Sequence, residues 1–222
     1  RVIVHTLENH LYSAIGSAIN LPLKSDDRWL IVLPLSHVSG LSILFRCLIA
    51  GATALIARSG SLRDDETLVL LSQATRLSLV PAQLERLLEL PEDRLRNLRS
   101  VLVGGQAASP LLIRRAQEAG IPVMTTYGST EMASQVATVA PGAIVQPGAC
   151  GKVLPYRRLQ IRDGEIEVGG RTLFSGYLTP DGIKKPALRS GAWFQTGDYG
   201  YLSASGVLTV TRRQSRSRSC CP

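Results

Sequence analysis

Leu7, Leu11, Ile15 and Ile19 recur every four residues, a spacing that lays an apolar stripe along one side of a helix. Glu8, Asn9 and Ser13 fall elsewhere on that helix, so its apolar stripe is expected to face the core. The pattern then changes. Trp29-Leu30-Ile31-Val32-Leu33 is a continuous apolar run bounded by Asp26-Asp27-Arg28, as expected for a strand buried on both faces of a parallel sheet. The segment Leu41–Ala50 reads as a helix stopped by Gly51. Ala52–Ala57 reads as a strand, and Asp64–Ser72 as a helix with acidic residues in its first turn. Arg76–Val80 is a further strand, ended by Pro81, which suits the first turn of a helix carrying Leu84, Leu87 and Leu88. Pro91 closes that helix. Arg99–Val103 is the next strand, Pro110–Ala119 the next helix, and Pro122–Thr126 the strand after it.

Past about residue 140 the texture differs. Pro141, Gly142, Pro147, Gly148, Gly151 and Pro155 punctuate the chain, and Leu159–Arg162 and Glu165–Val168 alternate like short antiparallel strands joined at Asp163-Gly164. The expected fold is therefore α/β: a mostly parallel sheet flanked by helices over 1–140, then a β-rich subdomain over 141–211 and a basic tail over 212–222. No internal repeat is present.

Composition narrows the function classes. The chain has 222 residues, 45% of them hydrophobic, enough to bury a core. Leu41–Ala50 is broken by Arg46 and too short to span a bilayer, and the first residues lack signal-peptide zones, so a cytoplasmic protein is expected. Cys47, Cys150, Cys220 and Cys221 show no metal-site spacing. Of the net charge of +8, Arg212, Arg213, Arg216 and Arg218 supply four. The body is only mildly basic, which suits a small anionic ligand. The arginine-serine tail could hold nucleic acid electrostatically, but no recognition fold accompanies it, and homo-oligomerisation stays open.

Two strand ends carry the candidate chemistry. Thr125-Thr126-Tyr127-Gly128-Ser129-Thr130-Glu131 combines a ring on which a base can stack, a glycine, two hydroxyls able to donate to phosphate, and a hard oxygen ligand for Mg²⁺. A strand ending in a turn, with Ser129 or Thr130 capping a short helix, would read the same way. Gly104-Gly105-Gln106 follows the preceding strand, but without the G-x-G-x-x-G spacing of a dinucleotide fingerprint. His37 lies at the carboxyl end of the Trp29–Leu33 strand, where open α/β sheets bind ligands; a structural histidine fits equally. His5 and His10 read as surface or structural residues. Asp198, behind Gly197, either binds or caps a turn.

The order of these motifs resembles the adenylate-forming acyl-CoA synthetases. The likeness covers Arg1 to about Arg213 and rests on Val4-His5-Thr6 with His10-Leu11, Leu33-Pro34-Leu35-Ser36-His37-Val38-Ser39-Gly40, Ser78-Leu79-Val80-Pro81-Ala82-Gln83-Leu84 and Val101-Leu102-Val103-Gly104-Gly105. These runs look most like the branch of the family that activates o-succinylbenzoate in menaquinone biosynthesis. The resemblance implies an ATP-dependent acid–CoA ligase using Mg²⁺, with CoA as co-substrate. It implies that Tyr127, Gly128 and Ser129 border the nucleotide, that Thr130 contacts phosphate and Glu131 holds the metal, and that Asp198 accepts the ribose hydroxyls. Gly104, Gly105 and Gln106 would line the adenine and acyl pockets. His37 and Ser39 would border the acid, and Arg212 would contact ribose. The family's phosphate loop and its C-terminal domain with a catalytic lysine do not appear in this sequence. The chain is thus expected to be an impaired piece of such a ligase, or else a non-catalytic adenylate-binding remnant.

Overall fold

The computed structural model describes residues 2–213, so the arginine-serine tail beyond them lies outside the described residues. The first part alternates: β1 (Val2–Val4), α1 (Leu7–Asn20), β2 (Arg28–Ile31), α2 (Val38–Ala50), β3 (Thr53–Ile56), α3 (Asp65–Gln73), β4 (Arg76–Leu79), α4 (Pro81–Leu87), β5 (Ser100–Val103), α5 (Pro110–Glu118) and β6 (Val123–Ser129). A 3-10 turn over Thr130–Met132 follows. Then come β7 (Ser134–Thr138), β8 (Ala149–Val153), β9 (Arg157–Arg162), β10 (Glu165–Gly170), β11 (Gly176–Thr179), β12 (Gly182–Lys184), β13 (Phe194–Leu202) and β14 (Val207–Arg213).

Eleven strands form one sheet in the order β3-β2-β4-β5-β6-β7-β8-β14-β13-β10-β9. The pairs from β3 to β6 are parallel. Strand β6 is the pivot: Val123–Thr125 pair in parallel with β5, whereas Thr126–Ser129 pair antiparallel with β7. The α/β sheet with flanking helices and the β-rich continuation are both as the sequence suggests. The antiparallel strands continue the parallel sheet across residue 140. A second sheet, β1-β11-β12, brings the chain start against Gly176–Thr179.

Strand side chains alternate between two apolar layers. Leu30, Leu77, Val101 and Val123 meet Leu71 of α3, Leu84 and Leu87 of α4 and Ala116 of α5. Trp29, Ile31, Leu102 and Met124 point the other way and meet Ile43 and Cys47 of α2. The helix ends follow local rules. Thr6 caps α1 and Asp64 caps α3, Ser109 caps α5, and Gly51 ends α2 at φ 65°. The Asp163-Gly164 turn has positive φ at both residues and joins β9 to β10.

Helix α1 corrects one expectation. Its apolar stripe does not face inward: Leu7 is 65% and Ile19 59% exposed, and the buried residues are Asn9, Ser13, Ala14, Gly16 and Ser17. That small, polar face is held by hydrogen bonds. Ser17 Oγ donates to Gln135 Oε1 at 2.7 Å, and Ser13 Oγ to the Ala133 carbonyl at 2.7 Å. The guanidinium of Arg157 bonds the carbonyls of Ser13, Tyr12, Pro155 and Gln135. Gly16 has no room for a side chain, since a Cβ there would fall 2.2 Å from Arg157 Nη1.

Candidate functional site

Two cavities open at the carboxyl ends of the parallel strands. The larger, about 400 Å³, is lined by Gly105, Gln106, Tyr127, Asp198 and Arg212 among others. The smaller, about 300 Å³, is lined by His37, Ser39, Arg46, Ser78, Ser129 and Thr130 among others. Gly105, Thr126 and Gly128 line both, so the cavities meet where β5 and β6 end. Both glycines are needed there. Gly105 has φ 79°, and a Cβ on Gly128 would lie 2.2 Å from the Ser134 carbonyl oxygen.

The larger cavity gathers residues far apart in sequence. Tyr127, on β6, donates its hydroxyl to Asp198 Oδ2 at 2.8 Å, and both residues are buried. The bond links β6 to β13 although β7, β8 and β14 lie between them in the sheet. Arg212 stands on β14 opposite Tyr199 and lies over its ring at 4.4 Å. Aromatic ring, carboxylate, glycine backbone and guanidinium thus face one space, a donor set that fits a nucleoside phosphate.

The smaller cavity holds His37, Ser39, Ser129 and Thr130 together with Gly104. His37 is the residue before α2, and its side chain makes no capping bond. Gly104 packs tightly, since a Cβ there would lie 2.7 Å from Thr126 Cγ2. Glu131 is set apart from the rest. It is 4% exposed, lines neither cavity, and accepts from the Tyr177 hydroxyl at 3.2 Å. As a hard carboxylate directly after Thr130 it fits one coordination position of Mg²⁺, which takes one or two carboxylates beside phosphate oxygens.

The sequence reading missed Arg46. It is 3% exposed in the middle of α2, and its Nη2 donates to Ser134 Oγ at 3.1 Å. Its Nε is enclosed without an acceptor, and no carboxylate pairs with it among the described residues. Burial pulls its pKa down to about 10, and burial together with the nearby Arg46 pulls Arg157 down to about 9. Both remain cations at neutral pH. The hydroxyls of Ser78 and Ser129, lining the same cavity, are also enclosed without partners. The signal in the sequence was a charge interrupting the apolar run Leu41–Ala50, which served there only as an argument against a membrane span.

His5 and His10 line neither cavity. His10 stacks on Phe45, and His5 meets His10 edge-on, each at 4.9 Å. Burial lowers the pKa of His5 against the raising influence of the Thr130 backbone and Glu131; burial and His5 lower that of His10. Cys47 and Cys150 are free thiols pushed up to about 11 by burial. Among the described residues there is no metal-ligand cluster of three or more and no helix long and apolar enough to cross a membrane.

Residues 2–178 match the family model of the AMP-binding enzymes. The chain is 40% identical over 227 residues to a 2-succinylbenzoate–CoA ligase of a Geobacillus species, covering 96% of this chain and 46% of that protein. It is 39% identical over 223 residues to the Bacillus pumilus ligase of the same name, covering 95% and 45%. Among solved structures it is similar to o-succinylbenzoate coenzyme A synthetase from Bacillus subtilis in complex with ATP and magnesium. There the TM-score is 0.82 at 36% identity, with coverage of 96% of this chain and 47% of that one. The chain thus spans slightly under half the length of these relatives. The family match and the cavities at the strand ends agree, and the chain belongs to the AMP-binding enzyme family.

Proposed function

We propose that this chain forms the nucleotide- and acid-binding part of an ATP-dependent acid–CoA ligase whose acid is 2-succinylbenzoate. The observation that carries this reading is the buried cation Arg46, without a carboxylate partner, in a cavity joined to the Tyr127–Asp198 cavity. A buried charge without a counter-ion is costly. An acid with two carboxylates can leave one free to react and give the other to Arg46. The enclosed hydroxyls of Ser78 and Ser129 are further donors for the same ligand.

In this reading adenine stacks on Tyr127 beside Gly105, Gln106 and Gly128, with Gly104 on the acid side, and Asp198 accepts the ribose hydroxyls with Arg212 nearby. Ser129 and Thr130 donate to phosphate oxygens, and His37 and Ser39 border the acid together with Gly105. Glu131 would hold Mg²⁺, which neutralises phosphate charge. A carboxylate oxygen of the acid attacks the α-phosphorus of ATP, giving acyl-adenylate and pyrophosphate. The sulfur of CoA then attacks the acyl carbonyl, AMP departs, and the thiol proton passes to solvent. No protein nucleophile takes part, so the residues act by placing the two reactants in line and stabilising charge.

Calorimetric titration of the chain with AMP and with 2-succinylbenzoate tests this. Saturable binding of both is expected, with AMP affinity reduced at least about tenfold in Asp198→Ala and acid affinity lost in Arg46→Ala. Failure of the acid to bind, or unchanged acid affinity in Arg46→Ala, overturns the reading.

A further inference from the structure

Ser134 sits where a side chain is unfavourable. Its φ is 114° and that of Ala133 is 52°, two consecutive residues on the side of backbone space where a Cβ is strained. A glycine would relieve the strain at either position. Ser134 closes the turn that begins with Thr130 and Glu131, and it pairs across the hairpin with Ser129. Its carbonyl lies against Gly128, one of the residues that line both cavities.

The hydroxyl of Ser134 has a definite use. It accepts from Arg46 Nη2 at 3.1 Å and from Ser42 Oγ at 3.2 Å. Ser42 and Arg46 are one turn apart on the same face of α2. Among the described residues this hydroxyl is the one hydrogen-bond acceptor recorded for the Arg46 guanidinium, whose other named contact is the Trp29 ring at 5.3 Å.

We infer that Ser134 is a positioning residue for acid recognition: its hydroxyl, held out on a strained turn, fixes Arg46 relative to the Thr130–Glu131 turn. The inference rests on the proposed role of Arg46 as the anchor of the acid's second carboxylate. The same short segment then sets both the acid anchor and the residues assigned to phosphate and metal. Carboxylate and α-phosphorus are thereby kept in register without any contact between Ser134 and the reacting atoms. The strained backbone is retained because glycine, which would fit better, has no hydroxyl.

The test uses the chain carrying Trp193→Phe, which leaves Trp29 as the single tryptophan. Ser134→Ala keeps the strained backbone and loses the hydroxyl; Ser134→Gly loses the hydroxyl and relieves the strain. Both are expected to weaken 2-succinylbenzoate about tenfold, to leave AMP and the monocarboxylate 4-oxo-4-phenylbutanoate unaffected, and to shift Trp29 emission as the guanidinium moves. Unchanged 2-succinylbenzoate affinity in Ser134→Gly overturns the inference. So does an equal loss of the monocarboxylate, which would mean that the residue acts on the fold. If Ser134 variants keep their affinity while Arg46→Ala loses it, the anchor stands and only the role of Ser134 falls. If Arg46→Ala also keeps it, or the parent chain binds neither acid, both fall.

Discussion

The two ends of the parallel sheet each bury a charge, and they treat it in opposite ways. At the amino ends Asp27 is fully buried and surrounded by donors: Arg76 Nη2 at 3.0 Å, Arg99 Nη1 at 3.2 Å, Thr75 Oγ1 at 2.7 Å and the Lys24 amide at 3.0 Å. At the carboxyl ends Arg46 has one neutral hydroxyl and an aromatic ring. The first arrangement answers its own charge and fastens β2, β4 and β5 together. The second leaves the charge to be met by something else, and it lies where sheets of this type bind ligands. Completeness of the partner set, more than burial itself, separates the charge that serves the fold from the charge that serves a ligand.

Substitution at Asp27 should give the largest effect. Asp27→Ala leaves Arg76 buried opposite no anion and is expected to cost about 3–5 kcal/mol, read as a lower urea midpoint. The same residue gives an acid limb. Burial alone would raise the Asp27 pKa, but hydrogen bonds from Arg76, the Lys24 amide and Thr75, with the Arg76 charge, bring it down to about 2 from an ordinary 3.8. A carboxylate with a depressed folded pKa stabilises fully above its unfolded value and loses that contribution as pH falls through the folded one. About 2 kcal/mol should therefore disappear between roughly pH 4 and pH 2. An Asp27→Asn chain should lack that component of the slope; an identical acid limb in both would show that Asp27 is not its source.

Between the two ends lies the Tyr127–Asp198 contact, which belongs to both fold and site. Tyr127→Phe removes one donor from a buried carboxylate and should cost about 1.5 kcal/mol in stability. AMP affinity should fall with it, because Asp198 is no longer held in place. A loss of stability with full AMP affinity would assign the contact to the fold alone.

How far the sequence could be read follows the same division. The strands of the parallel half were legible because Trp29–Leu33, Arg76–Val80 and Arg99–Val103 carry their burial in their own composition. The Tyr127–Glu131 stretch was legible as a motif, and the structure brings Tyr127 beside Asp198 and Arg212, and Thr130 beside His37 and Ser39. The orientation of α1 was not legible. Its buried face is stabilised by Gln135 and Arg157, whose arrival depends on tertiary pairing, whereas its regular apolar stripe is left partly in solvent. Arg46 was not legible for a related reason: an arginine in an apolar helix gains meaning only once the absence of a carboxylate around it is seen.

The smallest expected change in stability is also the sharpest test of the comparison. Arg46→Met keeps most of the side-chain volume and removes a buried cation that has no anionic partner. Removing such a charge relieves its desolvation cost, while the bond lost, to Ser134 Oγ, is a single one. Replacement of buried ionic groups by apolar residues of similar volume is often neutral or stabilising. The urea midpoint should therefore stay level or rise, by up to about 1 kcal/mol, in contrast to the loss at Asp27. Binding of 2-succinylbenzoate should nevertheless be abolished in the same protein, while AMP binding, seated on Tyr127 and Asp198, continues. If Arg46→Met unfolds the chain as readily as Asp27→Ala, the carboxyl-end charge is answered within the fold after all, and the case for an anionic ligand there loses its basis.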